Sequence, residues 1–255
     1  MIDSHCHLEF PEFDEDREEV IERSQQELLA IIDSSPDFEK SDRVLELHEE
    51  NSGFLYPCLG LHPTSAIELS HEGIEEYKEK IRHQRKNLVA VGEVGLDYYH
   101  VDERNRKRSK EIFREFLELS DELDLPLVVH SRQSMKDTLD ILNEKKGGKA
   151  IIHCFSGEKD DLEESVDRDY YLSFGGIIFR MPEKYEKLLE RVPLENLLLE
   201  TDAPFLGKMK SDRSEPSFIR EVAKKIAKIK DLEFSEVWKA AGKNAISAFD
   251  LPVEL

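Results

Sequence analysis

The feature that most constrains this chain is a rhythm. Short apolar runs of strand length recur eight times, at residues 1–8, 28–32, 54–59, 88–93, 126–130, 150–153, 171–174 and 196–202. Between them lie stretches with helical spacing, at 12–26, 39–51, 72–83, 105–123, 135–145, 160–167 and 183–190, with two more after the last run, at 216–229 and 235–249. A short run that is apolar throughout reads as a strand buried on both faces, which is the habit of parallel sheets covered by helices. Eight β-then-α units in 255 residues predict an α/β fold of the TIM (β/α)8 barrel type. A doubly wound open sheet of this length is expected to carry a Gly-rich phosphate loop early, and none is present. The expectation is one barrel domain over residues 1–255, for which 39% apolar residues supply enough core.

No run of some 18 apolar residues occurs, and a charged residue stands as early as Asp3, so neither membrane insertion nor secretion is expected. Cys6, Cys58 and Cys154 are widely spaced without a C-x-x-C, which fits reduced thiols and a cytoplasmic protein. The formal charge of −20 argues against a protein that coats nucleic acid through bulk electrostatics, so any such contact must be local. No long exposed apolar segment demands a partner, and a monomer is expected.

Several of the runs end in metal-ligand residue types. In a (β/α)8 barrel the C-terminal ends of the strands face the catalytic mouth, so His5, His7, Glu93, His130, His153 and Asp202 should converge there. Four imidazoles and two carboxylates suit zinc, manganese or another divalent ion, and six ligands are too many for one tetrahedral ion. They fit two ions about 4 Å apart that share a carboxylate. Taken singly each residue has a plainer reading. His5 and His7 can be a packed strand end, Glu93 a buried acid paired with Arg, and His62 before Pro63 the cap of a turn. His48, His71, His83 and His100 have no ligand-type neighbour at matching spacing and read as surface histidines. Cys6 and Cys154 have the opposite strand parity to their neighbours and should pack outward against helices.

The motifs D-S-H-C-H-L (3–8), G-L-H-P (60–63), V-G-E-V-G-L-D-Y-Y (91–99), L-P-L-V-V-H-S-R (125–132), H-C-F-S-G (153–157) and L-L-E-T-D-A-P-F-L (198–206) run nearly end to end. Together they resemble the TatD-related metal-dependent hydrolases, the TatD-type deoxyribonucleases of the amidohydrolase superfamily. The resemblance implies that His5, His7 and Asp202 hold one metal and His130 and His153 the other, with Glu93 bridging. It implies Asp202 as the general base and His62 as a hydrogen-bond partner of the scissile phosphate or leaving oxygen. Arg132 shares strand parity with His130 and so can bring its fork to a phosphate, and parity also turns Glu200 inward in support of the ligands. Two departures from the family pattern, Ser214 in place of Asn and Ser109 in place of Gln, touch no ligand.

Residues 104–110 carry five bases in seven positions, and Lys208, Lys210 and Arg213 follow the last strand. Arg106, Lys107 and Arg108 are thus candidates for a basic rim that guides a phosphate backbone, with Tyr98, Tyr99 and Phe205 available to stack bases; a solvated charge run is the competing reading. The leading expectation is a deoxyribonuclease of exonuclease type, with two divalent ions (magnesium, manganese or zinc) activating water against single-stranded or frayed DNA ends. The same centre acting on a carboxylic ester or amide, such as a misacylated aminoacyl-tRNA, is the first alternative. A non-catalytic binding barrel is the second.

Overall fold

A computed structural model describes residues 1–145 and 147–255. Eight strands form one parallel sheet in sequential order: β1 (Ile2–Cys6), β2 (Ala30–Ser35), β3 (Leu55–Leu59), β4 (Ala90–Asp97), β5 (Leu127–Arg132), β6 (Ala150–Ile152), β7 (Tyr171–Phe174) and β8 (Leu197–Leu199). The chain beyond β8 closes the barrel against β1, where His7 N–H donates to the Ala203 carbonyl at 2.7 Å and Asp202 N–H to that of His5 at 2.9 Å. Helices fill the connections, and the expected TIM barrel is the fold.

Strand parity sorts the core into two shells. Ile31, Leu55, Leu127, Val129, Ile152, Leu172 and Leu199 face outward into the layer shared with the helices. Ile2, Ala30, Ile32, Cys58, Ala90, Val128, Ile151 and Leu198 face inward. The last helix, Phe234–Phe249, closes the inner shell from the N-terminal end of the strands with Ala245, Ala248 and Phe249. It is pinned there by Asn244, whose amide donates to the carbonyls of Leu194 (2.7 Å) and Leu197 (2.8 Å). The bottom of the barrel is therefore apolar and sealed, and polar side chains accumulate at the opposite end.

Two irregularities interrupt this parity. Between Asp3 and Cys6, β1 advances three residues while β2 advances two, from Ile31 to Asp33. Between Val91 and Val94, β4 does the same against Leu127 to Val129 of β5. Each is a β-bulge with one extra residue, which switches the parity of everything after it. The bulge in β4 rests on close backbone approach: a Cβ at Gly92 (φ 152°) would lie 2.6 Å from the Val128 carbonyl oxygen, and one at Gly95 (φ 142°) 2.1 Å from that of His130.

The element boundaries differ from expectation where polar residues continue a strand or an apolar run outlives one. β2 runs on through Asp33, Ser34 and Ser35, and β4 runs past Glu93 to Asp97, because at the mouth the inner positions are polar by design of the site. β8 stops at Leu199, and the chain to Asp202 departs from strand geometry to close the barrel. The first helix starts at Arg17 behind a 3-10 turn at Pro11–Phe13, where Pro11 has no N–H to offer.

Candidate metal centre

The bulge in β1 turns both His5 and His7 inward, and the bulge in β4 does the same for Glu93. His130 arrives on the regular parity of β5, and His153 and Asp202 stand just beyond β6 and β8. Asp202 takes a left-handed backbone (φ 55°), which the short Asp side chain tolerates and which takes the chain out of strand geometry. The Glu93 carboxylate lies at the middle. Its Oε2 is 3.0 Å from His153 Nε2, 3.5 Å from His130 Nδ1 and 3.9 Å from His5 Nε2, and its Oε1 is 3.7 Å from His7 Nε2. Asp202 Oδ1 is 3.5 Å from His7 Nε2 and 3.8 Å from His5 Nε2. All six residues named from the sequence as ligands meet here.

The donor chemistry fits divalent ions. Ring nitrogens face one another at 3.2 Å (His5 and His7) and 3.3 Å (His130 and His153), an approach that a cation shared between lone pairs relieves. His5, His7 and Glu93 form one group with donor atoms within 4.8 Å of each other, and Glu93, His130 and His153 form a second. Glu93 is the member common to these two, and a third group, His5, His153 and Asp202, spans both.

Each imidazole has a polar neighbour behind it, a hydrogen-bond partner for His5, His7 and His130 and an ion-pair approach for His153. His5 Nδ1 meets Ser34 Oγ at 3.2 Å and His7 Nδ1 meets the Ser34 carbonyl at 2.5 Å. His130 Nε2 lies 3.3 Å from Asp97 Oδ2, and His153 Nδ1 lies 3.5 Å from Glu200 Oε2. Such partners fix which nitrogen faces the centre. His62, Asp97 and His130 also cluster closely enough to hold an ion. We read that cluster as support, because Asp97 is already filled: Oδ1 accepts the N–H groups of Tyr99 and His100, both at 2.9 Å, and Oδ2 faces His100 Nδ1 at 2.9 Å as well as His130.

Electrostatics follow from packing carboxylates around buried rings. Burial alone would strip the proton from His7, but Asp202, Glu9 and Glu93 outweigh it and push its pKa up to about 10. His153 is raised against burial by Glu200 and Glu93, and His130 by Asp97 and Glu93. Burial works to raise Glu93, yet the surrounding imidazoles hold it well below the carboxylate range. His5, buried and facing the other rings, is pushed down. The carboxylates thus demand positive charge at this spot, a demand that divalent cations meet.

The centre opens into a cavity of about 610 Å³ lined by Arg132, Arg180, Lys210 and Phe205, among others. Arg132 lays its guanidinium 4.2 Å over the Tyr99 ring and has no ion-pair partner among the described residues. His62 lines the cavity too and caps the short helix Pro63–Ala66, its Nδ1 accepting from Thr64 N–H at 3.3 Å. Burial and His130 push its pKa down to about 3, so the ring is neutral.

The basic stretch lies elsewhere. Arg106 stacks 4.2 Å over Tyr98, Arg108 donates to the Leu69 carbonyl, and Lys107 is 91% exposed, 3.8 Å from Glu111; none of the three lines the cavity. Arg213 binds Asp16 at 2.6 Å and does not line the cavity. Ser109 and Ser214 are buried with unpartnered hydroxyls and touch no candidate ligand.

Two expectations need correction. His100 is bound to Asp97 and lines the cavity, so it is no ordinary surface histidine. Cys154 does not pack outward, because a left-handed turn after β6 (φ 44°) breaks strand parity and brings it into a cavity wall. Asp97, Ser34 and Glu9 were not singled out from the sequence. Asp97 stands within the G-L-D-Y-Y motif four residues after Glu93, and that was its available signal.

Comparison with known proteins agrees with this geometry. The family model described as TatD related DNase matches residues 2–250. The metal-dependent hydrolase YabD of Bacillus subtilis is 36% identical over 98% of both chains. The human deoxyribonuclease TATDN3 is 32% identical over 98% of this chain and 94% of its own. The crystal structure of YJJV, a TatD homologue from Escherichia coli K12, superposes with a TM-score of 0.90 at 30% identity, over 99% of this chain and 98% of that one. With four imidazoles and two carboxylates converging at the mouth of a barrel matched along its whole length, the chain belongs to the TatD-related family of metal-dependent hydrolases.

Proposed function

We propose that the chain is a deoxyribonuclease that hydrolyses phosphodiesters at single-stranded or frayed DNA ends, using two divalent ions held on either side of Glu93. The observation that carries this reading is the unpaired Arg132 guanidinium opening onto the same cavity as the Glu93-centred donor set, which suits a phosphate better than a neutral carbonyl substrate. His5, His7 and Asp202 would hold one ion and His130 and His153 the other. When bound, such ions supply Lewis acidity at phosphoryl oxygens and acidify water.

The chain's own residues do the rest. Arg132 receives a non-bridging phosphate oxygen pair on its fork, with Tyr99 keeping the guanidinium plane in place. Asp202, with its side chain 15% exposed at the cavity, is positioned to take the proton of an attacking water. His62 is neutral, and because its Nδ1 accepts from Thr64, the ring proton sits on Nε2 and is available to the leaving oxygen. In this reading Arg106, Lys107 and Arg108 serve as an outer guide for the strand, at a distance from the chemistry. The human relative named a deoxyribonuclease supports DNA as substrate.

The test is nucleotide release from end-labelled single-stranded DNA after chelation and addition of magnesium, manganese or zinc. Metal-dependent release abolished by both Asp202→Asn and Glu93→Gln is expected. Metal binding without release, together with hydrolysis of an acyl ester, would move the function to carbonyl substrates.

A further inference from the structure

A second cavity, of about 730 Å³, opens from the same centre toward the loops after β5, β6 and β7. His130, Arg132, His153, Asp202 and Leu206 line both cavities, so the two meet at the metal centre with Arg132 at their junction. Their chemistry differs. The first is walled by the cations Arg132, Arg180 and Lys210. The second is walled by Met135, Ile177 and Met181, with the nearly buried Tyr185 behind them; Lys136 and Asp161 line its rim, and its inner lysine, Lys184, is neutralised by Glu158 at 2.7 Å and donates to the Ser156 carbonyl at 2.8 Å. Such a space suits a flat, uncharged group, and the polarisable methionine sulfurs suit an aromatic one.

One residue at its edge adds a polar reader. Gln133 directly follows Arg132 in a left-handed backbone conformation (φ 56°), is exposed, and its amide has no hydrogen-bond partner among the described residues. An amide offers a donor and an acceptor side by side, the pattern that matches the edge of a nucleobase. A strained backbone that presents an unpartnered amide to a cavity beside a reactive centre is the arrangement expected of a specificity residue.

We infer that this second cavity receives the nucleobase adjacent to the scissile bond, laid against Met181 and Ile177 and read at its edge by Gln133, while Arg132 at the junction meets that nucleotide's phosphate. The inference rests on the phosphodiesterase reading above and adds to it the group that the enzyme recognises.

The test compares two ligands on the manganese-loaded protein by calorimetry, thymidine 5′-monophosphate and 1-O-methyl-deoxyribose 5-phosphate, in which a methoxy group stands in place of the base and keeps the sugar closed. Wild type should bind the nucleotide at least about tenfold more tightly, the gain of one stacked base. That ratio should fall toward one in Met181→Asp and in Gln133→Ala. Because both ligands are measured on the same variant, partial loss of folded protein does not change the ratio. Equal affinity for the two ligands in wild type overturns the inference, as does a nucleotide preference that survives both substitutions, which would put the base elsewhere at the mouth. If neither ligand binds, the phosphodiesterase reading itself fails and takes this one with it.

Discussion

The candidate centre is assembled from two kinds of strand. β5 keeps its inside-outside alternation and delivers His130 from the same face as Val128, and the chain beyond β6 and β8 does likewise with His153 above Ile151 and Glu200 above Leu198. β1 and β4 break their alternation with one extra residue each, and only thereby turn His5, His7 and Glu93 inward. The regular strands carry their ligands at no cost to the sheet. The bulged strands carry the linking carboxylate and the paired histidines by giving up ladder regularity, which β4 offsets through close backbone packing at Gly92 and Gly95. The difference teaches that the centre is set by two local irregularities placed in an otherwise ordinary barrel.

That comparison can be broken most severely at Glu93, the one residue shared by both halves. Glu93→Gln should leave the barrel folded and lower hydrolysis by about 10³-fold, since several kcal/mol of charge stabilisation go with the bound ions. Metal content and turnover measured on the same preparation check this. Gly92→Ala attacks the bulge itself. The new methyl group meets Val128 and forces an unfavourable backbone, so we expect about 2 kcal/mol or more of lost stability together with lost metal. Ile151→Val on regular β6 is the matched control and should cost about 1 kcal/mol with metal content intact. Thermal melts with and without metal separate the two cases.

Removing support from behind should act more gently. Asp97→Asn and Glu200→Gln should each weaken metal affinity by about 10- to 100-fold, because His130 and His153 lose the groups that orient them. Titration with a competing chelator measures this.

The charge pattern gives a pH prediction. Without metal, His7 stays protonated up to about pH 10, and His130 and His153 are raised as well. Their raised pKa values favour the ion-free fold below the ordinary imidazole range near pH 6.5, and this contribution is lost as pH rises through the folded values, toward 10 for His7. Metal binding near pH 8 must therefore release protons, and affinity must fall on acidification. Calorimetry in two buffers of different ionisation heat detects that release, and observed heats identical in the two buffers would contradict the account. The smallest effect is expected outside the site. Asp16, held down to about 2 by Arg213 and Arg23, stabilises the fold above the ordinary carboxylate pKa and loses this as pH falls toward 2. Asp16→Asn should change stability by no more than about 0.5 kcal/mol and leave activity alone.

The sequence made the barrel legible because buried parallel strands write themselves as apolar runs, and runs as clear as 126–130 and 150–153 leave little choice of element. Most donor positions were legible for the same reason, since a His or Glu ending such a run has only the mouth to face. The bulges were not, because one extra residue leaves no mark on composition: from Ile2, alternation alone would turn Ser4 and Cys6 inward and His5 outward. Asp97 escaped notice because it lies in β4 beyond the polar residue at which an apolar-run reading stops the strand. Cys154 was misplaced because its left-handed turn has no Gly or Asn to announce it. The basic run at 104–110 was legible as charge but not as direction, and its side chains turn to Tyr98, Leu69 and Glu111.

The most direct test is an anomalous diffraction map from crystals of the protein soaked in manganese. The account predicts two peaks flanking Glu93, one beside His5 and His7 from the bulged strand and one beside His130 and His153 from the regular side. A map with no density at Glu93, or with ions only at surface carboxylates, would contradict it.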